Sequence, residues 1–175
     1  MNRPLIRACA AALAATALAG CTPALDWRQV RPEDGAVEAM FPCKPLTHAR
    51  TVPLAGRPTR MMLHACTTAG LTFALTFAEL KDPARIAPAL GELRAAAAAN
   101  LDGTEVVLGP MQAPGMTPNP QALRLSIQGR RPDGSPLAQQ VALFTKGTVI
   151  YQASVIGARL PQEAVDTFFA GLRLP

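Results

Sequence analysis

Met62, His64 and Cys66 stand at alternate positions of one apolar run, and Cys43 and His48 lie a short way upstream. Alternation along a strand puts side chains on one face of a sheet. A thioether, an imidazole and a thiol would then project together, the ligand set of a copper or zinc site. Met62, His64 and Cys66 are the candidate ligands. The same cysteine has a second use. In an oxidising compartment Cys43 and Cys66 pair with each other, closing a loop of about 24 residues and stabilising the fold by about 3 kcal/mol in the chain-entropy model. The two uses compete, because a disulfide sulfur is no longer a thiolate ligand. The spacing Cys-x4-His…His-x-Cys fits no standard metal pattern, which favours the disulfide. There is no Cys-x-x-Cys, so nothing supports a thioredoxin-like redox role.

Other chemistry is sparse. The serines Ser126, Ser135 and Ser154 stand apart from His48 and His64, and no Gly-x-Ser-x-Gly occurs. Neither a dinucleotide-binding glycine pattern nor a phosphate loop is present. The 12 acidic residues are scattered, with Glu33, Asp34 and Glu38 the densest group. The sequence therefore predicts a protein that is not an enzyme and has no cofactor.

The compartment follows from the N-terminus. Arg3 and Arg7 precede a short apolar run, Ala8 to Ala19, that ends in small residues. It is too short and too alanine-rich to span a bilayer stably and reads as an export signal. Cys21 follows directly on Leu18-Ala19-Gly20, which resembles the lipobox of bacterial lipoproteins. That resemblance implies cleavage before Cys21, a diacylglyceryl group on its sulfur and a further acyl chain, such as palmitate, on the new amino terminus. Three chains would hold almost permanently, since each buried CH₂ adds ~0.8 kcal/mol. In that family an Asp after the cysteine implies inner-membrane retention. Thr22 stands there, so the resemblance implies the outer membrane, with the domain facing the periplasm. The expected organisation is a signal peptide over 1–20, a lipidated cysteine and tether over 21–36, and one domain over 37–175.

Arg3 and Arg7 would leave with the signal, taking the formal charge from +5 to +3. No Lys/Arg cluster interleaves with aromatics, so a nucleic-acid partner is not expected. The mature chain of 155 residues is long enough for one substantial core.

Periodicity supplies the elements. Val37 to Phe41 reads as a short strand stopped by Pro42, and a polar loop with Pro45, Pro53, Gly56 and Pro58 follows, extended in its middle. Arg60 to Thr67 is a strand, and Ala69-Gly70 a tight turn. Leu71, Phe73, Leu75 and Phe77 alternate with smaller residues, the clearest strand of the chain, with a face that a helix should cover. Asp82-Pro83 opens a helix whose stripe is Ile86, Leu90, Leu93, Ala97 and Leu101. A strand over Thr104 to Leu108 leads into a proline-rich segment, 109–121. That segment holds Met111 and Met116, the candidate contacts for a partner protein. Strands around Leu125, Val141 and Tyr151 form a meander with turns at Pro132-Asp133-Gly134 and Lys146-Gly147. Pro161 starts a closing helix with Val165, Phe168, Phe169 and Leu172 as its stripe. The expected fold class is α+β, an antiparallel sheet packed by helices.

Phe41-Pro42-Cys43-Lys44-Pro45 looks like the Phe-Pro-x-x-Pro edge of PsbP-like proteins. The ending is similar too: Leu143-Phe144, Gly147, Val149-Ile150-Tyr151, Val155, then Phe168-Phe169 and Leu172. The resemblance spans roughly Trp27 to Leu174 and implies an α/β/α sandwich. The superfamily includes a photosystem accessory subunit, a nuclear-transport cofactor and many bacterial lipoproteins. It implies an accessory, non-enzymatic binding role, here docking another envelope protein. The Cys43/Cys66 pair looks like a feature of its exported lipoproteins. The alternative reading is a periplasmic carrier of a small ligand or of copper or zinc, using Met62, His64 and Cys66.

Overall fold

A computed structural model describes residues 24–33 and 35–175. The expected signal peptide and the lipidation site Cys21 lie outside the described residues. The chain opens with a two-stranded ribbon in which β1 (Arg28–Val30) pairs antiparallel with β2 (Ala39–Phe41). A meander of three strands follows: β3 (Leu46–Leu54), β4 (Arg57–Thr68) and β5 (Leu71–Glu79). A 3-10 turn (Pro83–Arg85) leads into α1 (Ile86–Ala99). A second meander comprises β6 (Thr104–Pro110), β7 (Leu123–Arg130), β8 (Pro136–Lys146) and β9 (Val149–Gly157). The last element is α2 (Gln162–Ala170). The meanders join where β5 pairs with β9, giving one seven-stranded antiparallel sheet in the order β3-β4-β5-β9-β8-β7-β6. The fold class is α+β, with more strand than helix.

The central position of β5 follows from its sequence. Leu71, Phe73, Leu75 and Phe77 are buried on one face, and Ala74 and Ala78 between them are buried on the other. A strand apolar on both faces must be covered on both. On one side α1 lays Ala89, Leu90, Leu93 and Ala97 over Leu125, Ile127, Val141, Leu143 and Ile150. Its small alanines keep helix and sheet close. On the other side Phe168 of α2 meets Phe73 of the sheet and Phe41 of the ribbon, each edge-on with ring centroids 5.4 Å apart. Tyr151 of β9 lies stacked on Phe144 at 5.0 Å and tilted against Phe77 at 6.2 Å.

The turns show why the first meander has its register. Ala55-Gly56 and Ala69-Gly70 each have positive φ at both residues (47° and 74°, 51° and 73°). Two such residues form the mirror-image turn that matches the right-handed twist of paired strands. They set Leu54 opposite Arg57 and Thr68 opposite Leu71.

Three expectations change. The described part of the expected tether, 24–33 and 35–36, belongs to the domain: Trp27 packs edge-on against Phe73 at 5.7 Å, and β1 is part of the ribbon. Leu25, Trp27 and Val30 are apolar enough to share the core below them. The segment expected as a polar loop extended in its middle is a nine-residue strand, β3, over Leu46–Leu54. Asp82 caps the 3-10 turn, accepting from the Ala84 N–H at 3.0 Å, and α1 proper starts at Ile86. Pro88 then falls in the first turn of α1, where its missing N–H has no intrahelical partner to lose.

Candidate functional site

The sulfurs of Cys43 and Cys66 lie 2.22 Å apart with their Cα atoms 6.0 Å apart, at disulfide-bonding distance. Cys66 comes from β4 and Cys43 from the chain running between the ribbon and β3. The bond fastens the ribbon layer to the sheet. It also takes the thiolate out of the candidate metal set.

His64 is buried at 7% exposure on the ribbon side of β4. Its ring is stacked on Phe77 with centroids 5.6 Å apart and planes 8° from parallel. Thr47, its register partner on β3, places Oγ1 2.9 Å from His64 Nδ1. Met62 shares that face, two residues away on the same strand. His48 does not: it pairs with Leu63, so strand alternation turns it to the opposite side of the sheet. Among the described residues no three His, Cys, Asp or Glu side chains are grouped to hold a metal ion. With the sulfurs joined, the sequence-derived ligand set reduces to Met62 and His64.

What those two side chains do line is a hollow of about 360 Å³ between the ribbon and β3–β4. Its rim is largely charged, with Arg28, Arg31, Glu33 and Lys44. Two of these cations are matched: Arg28 pairs with Asp26, and Arg31 with Glu38 at 2.5 Å. Sequence reasoning found Met62 and His64 but not the cations. Arg28 and Arg31 come from β1 and the residue after it, in the stretch the sequence presents as a tether, and Lys44 from the chain between β2 and β3.

Met111 and Met116, the expected partner contacts, both turn toward the core. Met111 is 4% exposed, and Met116 is half-buried against the same core. The segment 111–122 lies over the sheet as a plug. The Met111 N–H donates to the Ala122 carbonyl at 2.8 Å, and the Thr117 N–H to the Thr145 carbonyl at 2.8 Å. The Leu174 N–H donates to the Pro114 carbonyl at 2.9 Å, tying the C-terminus across it. Both thioethers are unbranched and adaptable, suited to filling an irregular gap under a segment without regular structure. The Met116 sulfur also accepts the Ala113 N–H at 3.2 Å.

Exposed apolar surface lies elsewhere. Val106, Val107 and Leu108 of the edge strand β6 are 57%, 47% and 51% exposed. A register shift between Val107 and Gly109 bends the strand there. Such an edge offers unpaired backbone groups to an extended segment of another chain. The sequence signal was the run Val106-Val107-Leu108, which alternation alone would have left half-buried.

Among the described residues, Tyr151 is the titrating group with a large displacement. Its phenol is pushed up to about 12, first by burial and then by the nearby Glu79 carboxylate. It fills the core beside Phe77 and Phe144 and reaches no hollow around His64. No protein-family model matches this chain, and no curated protein matches it.

Proposed function

We propose that this protein is a bacterial lipoprotein. It is cut before Cys21, held by acyl chains in the outer membrane and faces the periplasm. There it acts as a non-enzymatic accessory protein that binds another envelope protein. The observation that carries this reading is Leu18-Ala19-Gly20-Cys21 at the end of an Arg-led apolar run. Two features of the folded part support it. Cys43 and Cys66 sit at bonding distance, as suits an exported chain. Helices flank an antiparallel sheet, the arrangement that a PsbP-like sandwich requires. The apolar edge of β6 is the docking surface we assign to the protein partner. A small-ligand carrier is a second reading, favoured by the hollow beside His64. Its copper or zinc form loses Cys66 to the disulfide.

Fractionation tests the anchor. The protein with its native N-terminus should pellet with membranes, and the chain from Thr22 onward, exported behind a signal peptide without a lipobox, should stay in the soluble periplasmic fraction. A native chain recovered in the soluble fraction would overturn the anchor.

A further inference from the structure

The anchor, if it is Cys21, fixes the orientation of the domain as well as its address. The chain belongs to the domain from Ala24 onward. The Ala24 carbonyl accepts from Thr68 Oγ1 at 2.8 Å, and the Asp26 N–H donates to the Pro42 carbonyl at 2.9 Å. Two residues, Thr22 and Pro23, lie between Cys21 and Ala24, three Cα steps with a reach of about 11 Å at full extension. A domain of this length has a radius of gyration of about 15 Å. A tether that short cannot let the domain turn freely. The end of the sheet next to Ala24 must face the bilayer.

The register defines that end. Thr68 pairs with Leu71, Leu71 with Gly157, and Gly157 with Ala138. One strand further on, Pro136 pairs with Arg130. The Ala69-Gly70 turn, the chain after β9 with Arg159, and the β7–β8 turn therefore share one end. Lys44 and Leu46 enter β3 from the same side. At the opposite end lie the Ala55-Gly56 turn, Lys81 and the Lys146-Gly147 turn, since Glu79 and Lys146 both pair with Val149.

The side chains of the Ala24 end suit a headgroup layer. Leu46 is 68% exposed, the most exposed large apolar residue among the described residues. Lys44 and Arg159 are exposed, and among the described residues neither makes an ion pair. Of the carboxylates at this end, Asp26 is paired with Arg28. Asp133 accepts the Ser135 N–H at 2.9 Å within its own turn and stays an exposed carboxylate, and Asp102 stands at the far side after α1. Glu163, four residues past Arg159, is exposed in the first turn of α2, so the cations outweigh the carboxylates only on the Lys44–Leu46 side of this end. An apolar side chain among cations is the pattern that seats a protein on anionic phospholipid.

We infer that the sheet end bearing Lys44, Leu46, the Ala69-Gly70 turn and Arg159 lies against the phospholipid headgroups of the membrane that holds the anchor. This rests on the acylation of Cys21 proposed above. β6 then runs up the side of the domain from Thr104 at the bilayer end, with its outer edge open to a partner.

The chain has three lysines, which make a native ruler: Lys44 at the bilayer end, Lys81 and Lys146 at the other. The protein is extracted from membranes, its intact mass is read, and it is reconstituted into vesicles of phosphatidylethanolamine and phosphatidylglycerol. A membrane-impermeant amine reagent is applied, and labelling at each lysine is read by peptide mass spectrometry. The reference is the mature chain with Cys21→Ser in solution. The expected result is a several-fold fall of Lys44 labelling relative to Lys81 and Lys146 on vesicles. An unchanged ratio, or protection of Lys81 and Lys146 instead, overturns the orientation while leaving the anchor standing. An intact mass without acyl chains overturns the anchor and the orientation together, and it is read before any labelling.

Discussion

Cys43 and Cys66 are bonded across two layers, tying the end of the ribbon to the second strand of the main sheet. Their separation of 23 residues makes the closed loop long enough to matter in the unfolded chain. Reduction should lower stability by about 3 kcal/mol. Urea unfolding with and without reductant checks this, and the Cys43→Ala/Cys66→Ala double variant should match the reduced protein. Equal midpoints would show that the bond does not form.

Gly115 has φ +79°, and a Cβ on it would lie 1.8 Å from the Leu174 carbonyl oxygen. Gly115→Ala should cost at least about 2 kcal/mol, through the strained backbone and the displaced C-terminus. The loss should also raise proteolytic cutting within 111–122. If that segment were a loose loop awaiting a partner, the substitution would change neither.

Arg85 closes the junction between the first hairpin and α1. Its guanidinium donates to the Leu54 carbonyl at 2.6 Å, the Leu80 carbonyl at 3.0 Å, the Ala55 carbonyl at 3.3 Å and Thr59 Oγ1 at 2.8 Å. Arg85→Ala would leave the carbonyls at this bend without their donor. A loss of about 2–3 kcal/mol in thermal or urea unfolding is expected. Arg85→Lys should recover part of it, because an ammonium cannot reach all four acceptors in one plane.

The single tyrosine allows a direct pH test. Tyr151 is raised to about 12 in the fold, against about 10 in an unfolded chain. The unfolded chain therefore loses the phenolic proton first as pH rises. Stability is unaffected below pH 10 and falls by about 1.4 kcal/mol per pH unit between about 10 and 12. Absorbance of the phenolate should show the late titration in the folded protein and the ordinary one in denaturant. Tyr151→Phe should remove this part of the alkaline loss.

The sequence shows some of these elements plainly and hides others for physical reasons. β5 was legible because burial on both faces leaves an unbroken apolar alternation, Leu71 to Phe77. α1 was legible from Leu90, Leu93 and Ala97 on one stripe. β3 was legible only as extended chain within a loop, because an edge strand whose residues Leu46 to Thr51 are all exposed carries no alternation to read. The plug 111–122 misled for the opposite reason. Its prolines and polar residues mark a loop, yet Met111, Ala113 and Ala122 point inward. In the candidate site, strand alternation correctly set Met62 and His64 on one face. It could not show Thr47 beside His64, a contact made by pairing residues 17 apart. Nor could it show Arg28 and Arg31 there, which arrive with β1.

The central claim is the anchor, and intact mass with thiol counting on protein extracted from membranes tests it most directly. The account predicts a chain that begins at Cys21, carries a diacylglyceryl group and an amino-terminal acyl chain, and has no reactive thiol. A chain with Cys21 unmodified, whether still attached to residues 1–20 or cut elsewhere, would contradict it.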